Sequence, residues 1–371
     1  MAGPASLLSR GELTRSKGRF SAVVAALALI VFLVLVLGAL ADGLFYGATG
    51  AVRSTDATAY AFSDDAEGSL IRSRLEESAV ASFAAAPGVE AAGPVGVLLT
   101  GGSGPQGDVD LAIFGLNGVG MPTTLVEGRL PDPGEQGVAA VDTRLESEGV
   151  TIGSQVSVGE VAVEVVGFVS DAAYQLQPTV WTSLADWRAM RDAVRPELRG
   201  QPTAINAVAL QTASGADLDA IAAANPGTSV LTSDEVGLAI PGVAQQKSTL
   251  NSIIYTTIAV ATLVVALFFA LLVLEKRELF AALKALGTRT GALGRAVFVQ
   301  AIVASVLGIV IGTIVARLFG LIIPSTVPTL FRTDTLIQIA IFTLVAGALG
   351  AAFSLRRIAR IDPATAIGGT L

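Results

Sequence analysis

Long apolar runs and polar segments alternate along this chain in an uneven pattern. Four runs of at least 21 residues contain no charged side chain: 20–41, 248–274, 296–316 and 335–355. A helix needs about 20 apolar residues to cross the hydrocarbon core of a bilayer, so each run predicts a membrane-spanning helix. The pattern predicts an α-helical membrane protein with four transmembrane helices, one plus three, and a large domain (42–247) inserted between the first and the second.

The composition supports a membrane protein with an acidic inserted domain. Hydrophobic residues make up 52% of the chain and charged residues 15%, whereas globular proteins carry about 25% charged residues. The segment 42–247 holds 26 acidic and 10 basic residues. An acidic surface of this kind repels phosphate backbones, so we expect a lipid bilayer and no nucleic acid among the partners.

Basic residues in the short segments predict the topology. The arm 1–19, the loop 275–295 and the tail 356–371 together hold 12 basic residues, and the short loop 317–334 holds two. Because short cytoplasmic segments carry the excess of Lys and Arg, both termini and the loop 275–295 are expected in the cytoplasm. The inserted domain and the loop 317–334 are then external, in a multi-pass protein of the cytoplasmic membrane.

The first apolar run could instead be a cleaved signal peptide, because Ala39-Leu40-Ala41 resembles an A-x-A cleavage site. Signal peptides have apolar cores of about 7–15 residues, and the run 20–41 is longer. A retained span is therefore the favoured interpretation.

The inserted segment predicts a domain of mixed α and β structure. Apolar spacing and the Pro87-Gly88 stop predict a helix over 69–86, and a second amphipathic helix is predicted over 184–194. Alternating valines on both sides of Gly159-Glu160 predict a β-hairpin. The stretch 204–231 predicts a strand, a helix and a strand.

Catalytic motifs are missing from the sequence. The chain has no His and no Cys, which excludes His-dependent triads, Cys-His pairs and His/Cys metal sites. It also lacks a P-loop. The stretch 102–107 fits G-x-G-x-x-G but precedes a strand-like run and contains Pro105, so it predicts a hairpin or surface loop. We expect a non-catalytic chain without a metal site, whose scattered carboxylates form a solvated face.

The loop 275–295 contains a short amphipathic helix. Leu279, Leu283 and Leu286 recur at i, i+4 and i+7, and Gly287 suits the position that ends a helix. Two interpretations stay open. The helix rests on lipid headgroups, or it docks into a cytoplasmic partner, with Leu283 and Leu286 expected to make the contact.

The third predicted span contains Gly308 and Gly312 in G-x-x-x-G spacing. This spacing puts both glycines on one helix face, where missing side chains allow a second helix to approach closely. We expect these residues to pack against another helix.

Several segments resemble the FtsX-like permeases of ATP-binding-cassette (ABC) transporters, of the MacB and DevC type. The segment 274–287, LEKRELFAALKALG, is similar to that family's loop motif, and the tail LRRIARIDPATAI, 355–367, is similar to its closing motif. VEGRLP at 126–131, GSQVSV at 153–158 and VGFV at 166–169 are similar to its periplasmic core. The resemblance covers nearly the whole chain.

The resemblance implies a homodimer assembled with two copies of a cytoplasmic ATPase, which binds the ATP and Mg. This chain would carry no cofactor and would act by mechanotransmission, moving its external domain when the ATPase closes. The residues matched to the coupling element are Glu278, Leu279, Leu283, Lys284, Ala285, Leu286 and Gly287. Thr288-Arg289-Thr290 departs from the family's commoner pattern after the glycine.

The entry to the first span, 11–20, is most similar to the haem-exporter and DevC-type members of the family. Haem requires an axial ligand or a flat apolar slot, and without His and Cys the chain could offer a carboxylate or one of five side chains: Met121, Met190, Tyr46, Tyr60 and Tyr174. Each is more readily explained as structural.

Two functions stay open. One is an exporter that extrudes a hydrophobic or amphipathic molecule (a lipid, a drug-like compound or haem) from the outer leaflet. The other is a non-transporting transmitter that activates an external partner such as a cell-wall hydrolase. The absence of charged residues from the four spans argues against a path for ions or polar solutes through each subunit.

Overall fold

A computed structural model describes residues 17–199, 203–275, 277–286, 288, 290–324 and 327–359. The chain divides into two compact units. One, the inserted domain, is Leu44–Lys247, and the other, the helical unit, comprises the described residues of Met1–Gly43 and Ser248–Leu371. The basic residues Arg10, Arg15 and Arg360 of the predicted cytoplasmic segments lie outside the described part of the chain.

The helices and strands are numbered in chain order. The helices are α1 Lys17–Arg53, α2 Ala79–Ala84, α3 Leu184–Val194, α4 Leu218–Ala223, α5 Ser233–Ala239, α6 Val243–Glu275, α7 Arg277–Ala285, α8 Thr290–Gly320 and α9 Thr333–Ala359. The strands are β1 Ala59–Ser63, β2 Leu75–Glu76, β3 Val89–Gly104, β4 Gly107–Leu116, β5 Leu125–Gly128, β6 Val138–Asp142, β7 Gln155–Val158, β8 Val161–Val169, β9 Thr179–Ser183, β10 Ala204–Ile205, β11 Ala207–Thr212 and β12 Thr228–Thr232.

Four helices, α1, α6, α8 and α9, are long and apolar enough to cross a membrane. They coincide with the four apolar runs of the sequence. Half of the most apolar window of α1 is buried, against 6% for that of α6. Helix α1 therefore supplies much of the core of the helical unit, and α6 presents its apolar side chains outward, where lipid or another protein can cover them.

The inserted domain is built on a ten-stranded sheet in the order β12-β1-β11-β3-β4-β9-β6-β8-β5. Strand β7 pairs with both β3 and β8, through Ser103 opposite Ser157 on the β3 side. This double pairing closes β3, β4, β9, β6, β8 and β7 into a ring of strands. Ring closure removes sheet edges that would otherwise expose unpaired backbone groups.

Both faces of the sheet are buried, as strand β4 illustrates. Side chains alternate between the two faces of a strand. Leu111 and Ile113 join the core that contains Trp187 and Met190. Ala112, Phe114 and Leu116 join a second core, in which the Phe114 and Trp181 rings stack with centroids 4.6 Å apart.

Several sequence predictions for this domain are confirmed. Helix α3 spans Leu184–Val194, and the side chain of Ser183 caps it by accepting a hydrogen bond from the Asp186 N–H at 3.0 Å. The predicted valine hairpin is β7–β8, with Gly159 at φ +60° in its turn. The G-x-G-x-x-G stretch forms the β3–β4 hairpin, which excludes a dinucleotide-binding turn there.

The predicted helix over 69–86 is wrong, because only Ala79–Ala84 is helical. The residues before this helix are instead fixed by hydrogen bonds to other segments of the chain. The Asn206 side chain donates to the Leu70 carbonyl at 2.9 Å, and the Ser73 hydroxyl accepts from the Ser63 N–H at 3.1 Å. The short strand β2 then pairs with β10. These long-range bonds override the local helical periodicity.

One acidic residue departs from the predicted solvated face. Asp142 is 2% exposed and caps the turn that follows β6 by accepting a hydrogen bond from the Arg144 N–H at 2.9 Å. Burial raises the pKa of the Asp142 carboxyl, and the bond to Arg144 opposes this rise. A capping role explains why a carboxylate is retained at this buried position.

Candidate functional site

Helix α7 follows α6 and packs against the rest of the helical unit through Ala281 and Leu283. Ala281 is 1% exposed and lies in a cluster with Val23, Leu293 and Val297. Leu283 is half-buried and packs against the same cluster. Ala281 and Leu283 therefore attach α7 to the helical unit on two sides of the helix.

The leucine side of α7 is only partly covered. Leu279 is 47% exposed and Leu286 is 83% exposed, and Glu278 is exposed beside them. At about 100° per residue, Leu279, Leu283 and Leu286 all point within about 60° of one another, with Leu283 at one edge of the stripe. The predicted leucine stripe is thus divided by its exposure into one half-buried leucine and two outer ones.

The end of α7 is fixed by backbone hydrogen bonds. The Thr288 N–H donates to the Leu283 carbonyl at 3.0 Å, the six-residue bond of a Schellman-type helix end, and the Leu286 N–H donates to the Ala282 carbonyl at 3.0 Å. These bonds hold Leu286 at the helix terminus. The side chains of Lys284 and Ala285, and all of Gly287, lie outside the described residues.

Gly308 and Gly312 of α8 lie directly against α1. A Cβ atom added at Gly308 would lie 2.7 Å from Cβ of Leu27, and one added at Gly312 would lie 2.6 Å from the Ala28 carbonyl oxygen. Both distances are shorter than the 3.5–4.0 Å at which carbon atoms normally make contact. The backbones of α1 and α8 can approach this closely because both positions lack side chains.

Two further small residues of α8 extend this contact face beyond the predicted G-x-x-x-G pair. Ala301 and Ser305 are both 0% exposed, and they precede Gly308 and Gly312 on the same helix face. A Cβ added at Gly347 of α9 would lie 2.2 Å from Oγ of Ser305. Positions 301, 305, 308 and 312 follow the i, i+4, i+7, i+11 spacing of one helix face, so the sequence contains the signal for all four small residues.

A polar contact joins the end of the first apolar run to the start of α9. The Thr335 hydroxyl donates to the Asp42 carboxylate at 2.5 Å, and the Leu330 N–H donates to the Ala39 carbonyl at 2.8 Å. The residues before α9 are thereby tied to α1 at this end of the helical unit.

The haem-ligand candidates are distributed over different parts of the inserted domain. Met190 is buried in one core of the inserted domain, and Tyr60 and Tyr174 are buried in the other. The Tyr46 ring lies under the Arg53 guanidinium, 4.1 Å from its centroid, and Met121 is half-buried. Among the described residues, no group of three or more His, Cys, Asp and Glu side chains could hold a metal ion.

Two family profiles match most of the chain. The profile described as "MacB-like periplasmic core domain" matches residues 21–225, and the one described as "FtsX-like permease C-terminal" matches residues 251–363. The first alone covers more than half of the sequence. The second covers most of α6 and all of α7, α8 and α9.

Similar proteins carry permease descriptions. An uncharacterised ABC transporter permease of Mycobacterium tuberculosis H37Rv is 28% identical over 365 residues, which is 95% of this chain and 96% of that protein. A putative hemin transport system permease of Staphylococcus haemolyticus is 29% identical over 121 residues, covering 32% and 34% of the two chains. The periplasmic region of MacB from Actinobacillus actinomycetemcomitans aligns with a TM-score of 0.37 and 12% identity, covering 50% of this chain and 93% of that structure.

Proposed function

This chain belongs to the family of FtsX-like ABC-transporter permeases with a MacB-like periplasmic core domain, and we propose from this premise that it is the permease subunit of an exporter. A separate cytoplasmic ATPase would hydrolyse ATP. This chain would transmit the motion to its external domain and so extrude a hydrophobic or amphipathic molecule from the outer leaflet. Two copies of the chain would assemble with two ATPase subunits in the cytoplasmic membrane, with both termini in the cytoplasm.

The division of leucines on α7 is the observation that carries this proposal. A coupling element must be rigidly attached to its own subunit and must also expose apolar side chains to a partner. Ala281 and Leu283 provide the attachment, and Leu279 and Leu286 provide the exposed surface. We therefore assign ATPase contact to the two outer leucines, with Glu278 beside them, and the anchoring of α7 to Leu283.

A membrane-surface role for α7 fits this geometry less well. A lipid-surface helix needs a broad apolar face, and here one edge of the stripe is already used inside the helical unit. Two exposed leucines suit a groove on a protein, where the burial of each contributes about 1.5–3 kcal/mol. Because Leu279 is already about half buried, the pair would together supply about 2–4 kcal/mol, which corresponds to at least about twentyfold in affinity.

The test is the double substitution Leu279→Asp with Leu286→Asp. We expect it to abolish co-purification of the ATPase and stimulation of ATP hydrolysis in the reconstituted complex, while expression and membrane insertion stay normal. Leu321→Asp is the matched control, since Leu321 is also 83% exposed but follows α8 at its other end. Normal ATPase binding and stimulation by the double variant would refute the coupling role of α7.

A further inference from the structure

The inserted domain contains a pocket that the proposed coupling role does not use. It lies between helix α3, the middle of β3 and the short segments around β2 and β10. Its cavity volume is about 40 Å³, and the rest of the pocket is open to solvent. One water molecule needs about 10–15 Å³ of such space, so the cavity can take a small chemical group, and the rest of a larger ligand would lie in the open mouth.

Trp187 lines the pocket, and its indole ring packs against two glycines of the sheet. Gly96 of β3 and Gly115 of β4 are directly paired across the sheet. A Cβ added at Gly96 would lie 2.5 Å from Cε2 of Trp187, and one added at Gly115 would lie 2.6 Å from its Cγ. The missing side chains allow the indole ring to lie on the sheet itself.

The Trp187 indole has an unused hydrogen-bond donor. The residue is 3% exposed, and its Nε1–H has no hydrogen-bond acceptor among the described residues. Buried donors are almost always paired, and an unpaired one costs stability. A ligand that accepts a hydrogen bond at this position would satisfy the indole.

Three arginines give the pocket a positive charge. Arg191 is 5% exposed, and its Cζ atom lies 5.1 Å from the centroid of the Trp187 ring. Its Nε donates a hydrogen bond to the Asp192 carboxylate at 2.9 Å. Arg74 is held at the mouth by hydrogen bonds from Nη1 to the carbonyls of Ile71 and Ser73. Arg195 also belongs to the lining and is half-buried.

Most of the remaining lining is apolar and includes Val97, Leu99 and Leu198. Asn206 is a polar residue of the lining, and its side chain donates a hydrogen bond to the Leu70 carbonyl. Positive groups at the mouth and aliphatic side chains beside them match a molecule with an anionic end and an apolar body. Guanidinium groups bind carboxylate and phosphate with paired, charge-assisted hydrogen bonds.

We propose that this pocket binds an amphipathic organic anion, a carboxylate or phosphate joined to a short apolar body. Arg74 and Arg195 would hold the anionic group, and the Trp187 Nε1–H would donate to it or to an adjacent oxygen. The apolar body would lie against Val97 and Leu198. This inference is independent of the role of α7, because all of these residues belong to the inserted domain.

The test uses the full-length protein in nanodiscs of phosphatidylcholine, with tryptophan fluorescence as the signal. The chain has two tryptophans, and the other, Trp181, is 0% exposed and stacked on Phe114. Octyl phosphate and octanoate are the probes, with octyltrimethylammonium and inorganic phosphate for comparison. We expect either octyl anion to change the emission saturably, and Trp187→Phe to remove that change.

The paired variants decide whether the arginines hold the anion. Arg74→Gln with Arg195→Gln should weaken binding of the octyl anion by about tenfold or more, since hydrogen bonds to charged groups are the strong ones. Arg72→Gln with Arg199→Gln removes the same charge from exposed arginines outside the lining and should leave affinity unchanged. Equal binding of octyltrimethylammonium, equal affinity for inorganic phosphate, or unchanged binding in the Arg74/Arg195 variant would overturn the proposal.

Discussion

Replacing Gly308 by leucine should force α1 and α8 apart. An added Cβ would lie 2.7 Å from Cβ of Leu27, so reaching a normal contact of about 3.5 Å requires a shift of about 0.8 Å before the rest of the leucine is accommodated. At Gly312 the obstacle is the Ala28 carbonyl oxygen, which cannot rotate away as a side chain can. Overpacking of this kind costs about 1–3 kcal/mol at each site.

The assay is resistance of the purified protein to unfolding by sodium dodecyl sulfate, together with the yield of complex formed with the ATPase. Gly308→Leu and Gly312→Leu should each lower the unfolding midpoint and the yield, and Gly308→Ala should have a smaller effect. Gly291→Leu is the matched control, since Gly291 lies on the same helix with nothing within 4 Å of an added Cβ. Equal stability of Gly308→Leu and Gly291→Leu would refute the close packing of α8 on α1.

Two further predictions concern topology and acid sensitivity. On this cysteine-free chain, Ser103→Cys should react with an impermeant reagent in intact cells and Lys284→Cys only after permeabilisation; the reverse pattern would overturn the topology. The Arg129 side chain, bonded to the Glu135 carboxylate at 2.7 Å, lowers the pKa of Glu135 to about 2. A carboxyl with a lowered folded-state pKa stabilises the fold above its ordinary pKa of 4.5, and that contribution is lost as the pH falls towards 2. The melting temperature of Glu135→Gln should therefore lie below that of the unmodified protein at neutral pH and converge with it in acid, and a gap that persists in acid would contradict this assignment.

Local signals predicted those parts of the fold that local interactions decide. The amphipathic pattern over 184–194 predicted helix α3, and the Gly159-Glu160 turn between alternating valines predicted the β7–β8 hairpin. The four apolar runs predicted the four candidate spans because a run of about 20 apolar residues is long enough by itself to indicate a membrane-spanning helix. The helix predicted from residue 69 failed where Asn206, far along the chain, supplies the competing hydrogen bond.

The functional surfaces needed the tertiary structure. The leucine stripe of α7 was visible in the sequence, but the packing of Leu283 on the helical unit depends on contacts with other helices. The position of the Trp187 ring on the sheet depends on the pairing of Gly96 with Gly115, which leaves space for the indole. Neither glycine stands out in the sequence, because the need for a small residue arises only when two strands and a helix meet.

Site-specific photo-cross-linking in living cells tests the coupling role of α7 most directly. A photoreactive phenylalanine analogue placed at Leu286 should form an adduct with the cytoplasmic ATPase, and the same analogue at the equally exposed Leu321 should form none. Adducts at Leu286 that increase when ATP hydrolysis is blocked would show that the contact follows the ATPase cycle. Absence of the adduct at Leu286, or an equal adduct at Leu321, would contradict the proposal that α7 transmits ATP-driven motion.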